Sequence, residues 1–432
     1  MQPRARYRRF VLGVFFAFLL LHQADRLVIG QVLEDLQRDF TIDDAAAGAI
    51  GTGALVVATL FFPVWGYLYD RYARAKLLAL ASFIWGLTTM LGAVVTSFPA
   101  FLAARGSSGI DDSSYPGLYS LVSDYFGPAT RGKINGFLQI AGPVGSMLSL
   151  ALVLVLRETI GWRSIFLLTG GLGLVVGALI FFGVRDLPRG SSEPEMRDLS
   201  DIPTFKFRWS ALRDVLRRRA ILPLFVQGFF GVFPFTVIEF WFFTYLGRER
   251  GFADGVVVAL MVAAALSMSL GAVVGGALGD ALYRRTPRGR LLTCLTGVTA
   301  GAVLLAATLT LPPTTSPLLF GAMLSITAFF TLFSGPNIVA TLYDITAPEV
   351  RSTTLAVQYF IENAGAASAP LIVGILSTQI GLSSAILLIS VGTLCACAVF
   401  LLLAVVRIPE DVGALRREMR ERAEAVMVRS GS

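Results

Sequence analysis

The chain has one histidine and three cysteines in 432 residues, and only 15% of it is charged. A single histidine leaves little for metal or triad chemistry, and neither an H-E-x-x-H nor a G-x-S-x-G segment occurs. The cysteines, Cys294, Cys395 and Cys397, all lie in apolar runs, and Cys395-Ala-Cys397 lacks the spacing of a zinc or redox pair. They read as small packing residues. Gly170-Gly171-Leu172-Gly173 follows no strand and so is no nucleotide loop. These absences weigh against a membrane enzyme, and no metal or cofactor is expected.

What the chain does have is apolar surface. It is 55% hydrophobic with a mean hydropathy of +0.71, where a soluble protein would carry about a quarter charged residues. A bilayer core takes about 20 apolar residues per helix, which leaves room for about 12 spans. The first six run about 10–33, 45–69, 75–97, 99–125, 131–156 and 162–184. The second six run about 220–246, 254–282, 290–311, 316–343, 351–380 and 382–406. The basic start, Arg4 to Arg9, has the look of a signal peptide. No small-residue cleavage site follows and Asp25-Arg26 interrupts, so it reads as a retained first helix.

Pro116, Asp124, Pro128 and Arg131 recur as Pro336, Asp344, Pro348 and Arg351, each about 220 residues later. The expected fold is therefore an all-α membrane protein of two pseudo-symmetric six-helix bundles, 1–184 and 220–406, with a cavity between them. The segment 185–219 reads as a linker that ends in a short basic amphipathic helix, and the tail 407–432 as a solvated helix or disordered.

Arginine and lysine cluster at the N-terminus, after the second and eighth spans (Arg71, Arg74, Lys76; Arg284, Arg285, Arg288, Arg290), in the linker and in the tail. The opposite loops are poor in them, and the first is acidic, with Glu34, Asp35, Asp39, Asp43 and Asp44. Both termini and the linker are thus expected in the cytoplasm, in the cytoplasmic membrane if the cell is bacterial. This placement accounts for the +7 net charge through anionic lipid headgroups and argues against nucleic acid as a partner. A monomer is expected.

Gly66-Tyr67-Leu68-Tyr69-Asp70-Arg71 ends the second span and Gly276-Ala277-Leu278-Gly279-Asp280 ends the eighth. Glycine lets backbones approach, and an aspartate can accept from the N–H groups that open a neighbouring helix. With Asp124, Arg131, Asp344 and Arg351, these residues form a candidate conformational latch.

Those two loops, the two halves and the linker resemble the major facilitator superfamily, as does Gly161-Trp162-Arg163-Ser164-Ile165-Phe166. His22-Gln23-Ala24-Asp25-Arg26 and Ala104-Arg105-Gly106-Ser107-Ser108-Gly109-Ile110-Asp111-Asp112 are similar to segments of spinster-like lipid transporters; the first also resembles organic-anion symporters. Asp112 stands where that family has glutamate, Asp111 replaces a glycine and His22-Gln23 replaces Asn-Tyr. The resemblance implies a secondary transporter of an amphipathic lipid such as a lysophospholipid or sphingoid phosphate, coupled to protons. A small organic anion or an expelled drug is the alternative substrate, and a non-transporting receptor on the same scaffold the alternative class.

Charge inside a span costs about 2.5–3.5 kcal/mol, so Asp25, Arg105 and Asp112 should face a cavity or one another. Asp25 and Arg105 both fall roughly 9–12 Å below the outer surface, and Asp112 sits two helical turns beyond Arg105 on nearly the same face. Asp25 and Asp112 are expected to trade the arginine as a proton moves. His22 and Asp111 are candidate relay residues. Glu239, Trp241, Glu362, Asn363 and Arg26 are candidate cavity residues for the substrate.

Overall fold

The computed structural model describes residues 4–42, 44–196 and 209–430, so the middle of the linker, 197–208, lies outside the described residues, as does Asp43. Every regular element among the described residues is helical. Ten helices are long and apolar enough to cross a bilayer. One of them, Pro128–Gly183, spans 56 residues and turns at Gly161 into two crossings. A further crossing, 98–125, is built of three shorter helical pieces.

We number the crossings α1 (Ala5–Gln31), α2 (Asp44–Arg71), α3 (Arg74–Val94), α4 (98–125), α5 (131–160) and α6 (162–183). The second half follows as α7 (221–244), α8 (Asp254–Tyr283), α9 (Gly289–Leu309), α10 (Pro317–Asp344), α11 (Arg351–Ile380) and α12 (Leu382–Ser430). An even number of crossings returns the chain to its starting face, so both termini and the linker share one face. It carries the basic loops and is called the basic face below.

The repeat extends to backbone conformation. Gly161 (φ 74°, ψ 161°) turns α5 into α6, and Gly381 (φ 84°, ψ 156°) turns α11 into α12. That region of backbone space is open to glycine almost alone. α4 breaks after Asp112, and α10 breaks at Leu332 and Phe333. Pro116 and Pro336 explain both breaks: each lacks the N–H that would bond four residues back, to the carbonyls of Asp112 and Leu332. Asp112 therefore ends a one-turn helix rather than continuing a straight one.

The tail departs from expectation. α12 runs on without interruption past Arg407, and Met419 and Ala423 are buried. Asp411 accepts from the backbone N–H of Arg219 and Ala220 at 3.3 and 2.7 Å, where α7 begins. Arg416 and Arg422 pair with Glu195 and Glu349. The alternation of Arg and Glu thus supplies partners for the basic face instead of a solvated surface. In the linker, the amphipathic helix spans Trp209–Leu216 and buries Ala211 and Val215.

Candidate functional site

The two bundles meet at the basic face through paired, repeated contacts. Asp70 accepts from the backbone N–H of Ser352 (3.0 Å) and Thr353 (2.6 Å) at the start of α11. Asp280 accepts from Gly132 (3.0 Å) and Lys133 (2.7 Å) at the start of α5. A carboxylate at a helix N-terminus meets free donors and the positive end of the helix dipole. Close approach requires glycine here: a Cβ on Gly66 would lie 2.6 Å from that of Ala356, and one on Gly276 would lie 2.2 Å from the Gly132 carbonyl oxygen.

Around these contacts the charges form a closed network. Asp124 pairs with Arg74 at 2.5 Å in its own bundle and with Arg351 at 3.7 Å in the other. Asp344 pairs with Arg290 in its own bundle and with Arg131 at 3.5 Å across the interface. Glu193, from the linker, sits between the repeat mates: one carboxylate oxygen takes Arg131 (2.7 Å) and Arg351, and the other takes Arg416 of the tail (3.0 Å). Burial opposes the charge on Glu193, but Arg131, Arg351 and Arg416 outweigh it and hold its carboxyl well below the usual range. Arg71 does not join the network. It turns outward to the Tyr67 hydroxyl and leans on the Tyr72 ring. Arg74 and Arg290, which follow the two glycine–aspartate segments, take the place expected for it.

Away from the basic face the bundles part around a cavity with three lobes. The first, about 510 Å³, is lined by Arg26, Arg105, Ser108, Asp112, Tyr115, Asn363, Tyr359 and apolar residues including Leu27, Leu33, Leu55 and Phe62; Arg105 is held by Asp25. The second, about 410 Å³, holds Glu239 among Phe235, Ile238, Met261 and Met268. The third, about 230 Å³, is also mainly apolar but gathers Gln139, Gln227, Gln358 and Glu362. Tyr359 is common to the first and third lobes, and Phe235 and Thr331 to the second and third. The three glutamines were not singled out from sequence. Amides inside apolar spans were the signal available.

Arg26 is exposed to the first lobe, and no hydrogen bond or ion pair to it occurs among the described residues. The charged groups within electrostatic reach of it are Asp112, on the same wall, and Glu239 of α7 across the cavity. Glu362 accepts from Gln358 Nε2 at 2.6 Å. Trp241 is not a cavity residue: its indole N–H donates to the Pro370 carbonyl at 3.1 Å, which packs α7 on α11.

The acidic residues of α1 and α4 divide into two groups. Asp25 is 2% exposed and accepts from Trp85 Nε1 (3.1 Å), Thr89 Oγ1 (3.0 Å), Thr169 Oγ1 (2.5 Å) and Arg105 Nη1 (3.4 Å). Asp112 does not approach Arg105. The break at Pro116 sends it to His22, with Oδ1 3.4 Å from Nε2. His22 Nε2 lies 2.6 Å from Asp111 Oδ2, and the Tyr115 hydroxyl lies 2.6 Å from His22 Nδ1. In this conformation Arg105 pairs with Asp25 and not with Asp112, although Arg105 and Asp112 both line the first lobe. His22, expected only as a relay, joins Asp111, Asp112 and Tyr115.

A two-bundle membrane protein with doubled contacts between the bundles on one face and a lobed cavity beyond them has the architecture of a secondary transporter. The chain belongs to the Major Facilitator Superfamily, whose model matches residues 14–334. It is similar to spinster homolog 1 of Xenopus tropicalis, with 27% identity over 85% of this chain and 72% of the relative. A sphingosine-1-phosphate transporter of Xenopus tropicalis is 24% identical over 85% of this chain and 73% of its own length. Among solved structures, a bacterial homolog of the human lysosomal transporter Spinster, inward-facing and unoccupied, superimposes with a TM-score of 0.59 at 19% identity, covering 98% of this chain and 99% of that one. The chain is a multi-pass membrane transporter of this superfamily, similar to the spinster proteins, and not an enzyme.

Proposed function

We propose that the chain moves an amphipathic lipid with an anionic headgroup, of the lysophospholipid or sphingoid-phosphate kind, by proton-coupled alternating access. One observation carries the reading: Arg26, a cation with no protein partner among the described residues, faces a cavity whose other walls are largely apolar. Unpaired charge at bilayer depth is costly unless something supplies its counter-charge. An anionic headgroup on Arg26 with its chain along Leu27, Leu33 and Phe62 answers both the charge and the apolar surface. In the third lobe, Gln227, Gln358 and Glu362 offer hydrogen bonds to headgroup hydroxyls or an ammonium. Similarity to a sphingosine-1-phosphate transporter supports the same class.

The basic face is the cytoplasmic one, since cytoplasmic loops carry the excess of arginine and lysine. Asp70, Asp280 and the network around Glu193 form the gate closed in this conformation, and a rocking motion of the bundles opens it. One chain encloses the whole cavity, so the working unit is a monomer. Small-molecule substrate, protons and membrane lipids are the partners.

A second reading has its own observation. Glu239 stands in a lobe built mainly of apolar residues, which suits a hydrophobic cation expelled by proton exchange. Proteoliposomes separate the two. Under an imposed pH gradient, a labelled lysophospholipid or sphingosine-1-phosphate should accumulate, and a short organic anion or a cationic dye should not. Accumulation of the dye alone would replace the lipid reading with drug efflux. Ligand binding without gradient-driven flux of any kind would make the chain a receptor.

A further inference from the structure

The sequence points to Asp25, Arg105 and Asp112 as the proton-coupling group, but the geometry points elsewhere. Asp25 receives four donors, including Arg105. Those donors occupy the carboxylate, and a proton on it would have to displace at least one of them. Asp111 is 0% exposed, takes a hydrogen bond on Oδ2 from His22 alone, and leaves Oδ1 without a partner. Asp111 Oδ1 is thus free to take a proton without displacing a donor, which Asp25 is not.

We propose that the transported proton is carried by the Tyr115–His22–Asp111 chain, with Asp25 and Arg105 as its fixed anchor. This rests on the proton-coupled reading above for its purpose, though not for its test. Neutral His22 accepts the Tyr115 O–H at Nδ1 and donates Nε2–H to Asp111. When a proton arrives, Nδ1 becomes a donor and the tyrosine hydroxyl turns to accept from it, so neither hydrogen bond is lost. Tyr115 and Asp112 line the cavity and Asp111 does not, so the chain leads from the wet side to the buried carboxylate.

The surrounding charges set the direction of coupling. Facing His22 are Asp25 on its own helix and Asp111, Asp112 and Tyr115 of α4; Arg105 acts on Asp111, and Arg26 on Asp112. From α3 comes only the uncharged Trp85 ring, and across the cavity stand Glu239 and Tyr359. With Asp25 matched by Arg105, two carboxylates are left against Arg26. An anionic headgroup on Arg26 takes up that counter-charge, and a proton on His22 restores balance. Substrate and proton then enter together.

His22 is the only histidine in the chain, so imidazole ¹⁵N labelling gives a single pair of signals from the full protein in nanodiscs. Between pH 5 and 9 those signals should pass once between a neutral ring and an imidazolium. Asp111→Asn should displace that transition by about one pH unit or more. An imidazole without a transition in this range, already in the wild type, overturns the proposal; so does an unchanged transition in a folded Asp111→Asn protein. No substrate is present, so a wrong substrate class cannot produce either result, and a failed titration leaves lipid binding at Arg26 standing.

Discussion

Arg351 on α11 reaches the carboxylate of Asp124 on α4 at 3.7 Å, and their repeat mates Arg131 and Asp344 meet at 3.5 Å in the opposite sense. Each bundle thus holds the other with the same residues. Glu193 lies between the two arginines and accepts from both. The bundles cannot separate at the basic face without Glu193 giving up at least one of them, so the linker takes part in the contact between the bundles and, on the function proposed above, in its gate.

The gate should be indifferent to pH across the neutral range. Three arginines keep the Glu193 carboxyl below its usual range despite burial. A depressed folded value means that its stabilisation is fully present above the unfolded value of about 4.3 and is lost only as pH falls through the lower, folded one. Spin-label distances across the basic face should therefore stay constant from pH 5 to 8 in the absence of substrate. Glu193→Gln should broaden them toward the open form at every pH. A gate that loosens as pH drops from 8 to 5 in the wild type would count against this assignment.

Gly66→Val should hold the gate open. The first added carbon would lie 2.6 Å from the Ala356 side chain and 3.0 Å from the Thr353 Cα, both on α11. Neither neighbour is the flexible end of a long side chain, so the helices must part. Cysteine labelling from the basic side should rise in the cavity while transport falls at least tenfold. Unchanged accessibility would mean that α2 and α11 have room that the geometry denies them.

Some of this was legible in the sequence. The glycine–aspartate segments mark the paired contacts between the bundles because they occur twice, at corresponding helix ends, and counting residues from each end of a span places Asp25 near Arg105. Counting does not place Asp112. Its partner depends on the break in α4, and Pro116, which stands out in the sequence as a repeat marker, makes that break through the N–H it lacks. His22 and Asp111 stood out only as departures from a pattern. Glu193 lies in a linker whose composition says flexible; its burial comes from three arginines that arrive from α5, α11 and the tail. The glutamines of the third lobe sit on three helices, and nothing local links them.

Asp25→Asn should harm folding more than coupling. The asparagine keeps one acceptor where the carboxylate serves four donors, and it leaves Arg105 buried without its counter-charge. Removing one partner of a buried pair costs about 3–5 kcal/mol. Expression and the thermal unfolding midpoint in detergent should both fall. His22→Gln should stay near the wild-type midpoint and lose gradient-driven uptake. The opposite pattern, a stable Asp25→Asn protein without uptake and an active His22→Gln protein, would return the proton to Asp25.

Arg26→Ala should weaken binding of an anionic lipid while leaving the apolar lobes intact. A hydrogen-bonded contact to a charged group contributes about 1.5–3 kcal/mol, and 1.4 kcal/mol is about tenfold in affinity. A loss of ten- to a hundredfold is thus expected in calorimetric titration with sphingosine-1-phosphate or a lysophosphatidic acid. A neutral analogue of the same chain length should bind both proteins alike, because it never used the guanidinium. The same titrations in buffers of different ionisation enthalpy count protons. Wild type should take up about one per lipid bound, since the headgroup occupies the charge that offsets Asp112. Arg26→Ala should take up fewer, its cluster already lacking that cation before the lipid arrives. Equal affinity in the two proteins, with no proton uptake in either, would remove Arg26 from substrate recognition and leave the apolar walls alone to define what this cavity carries.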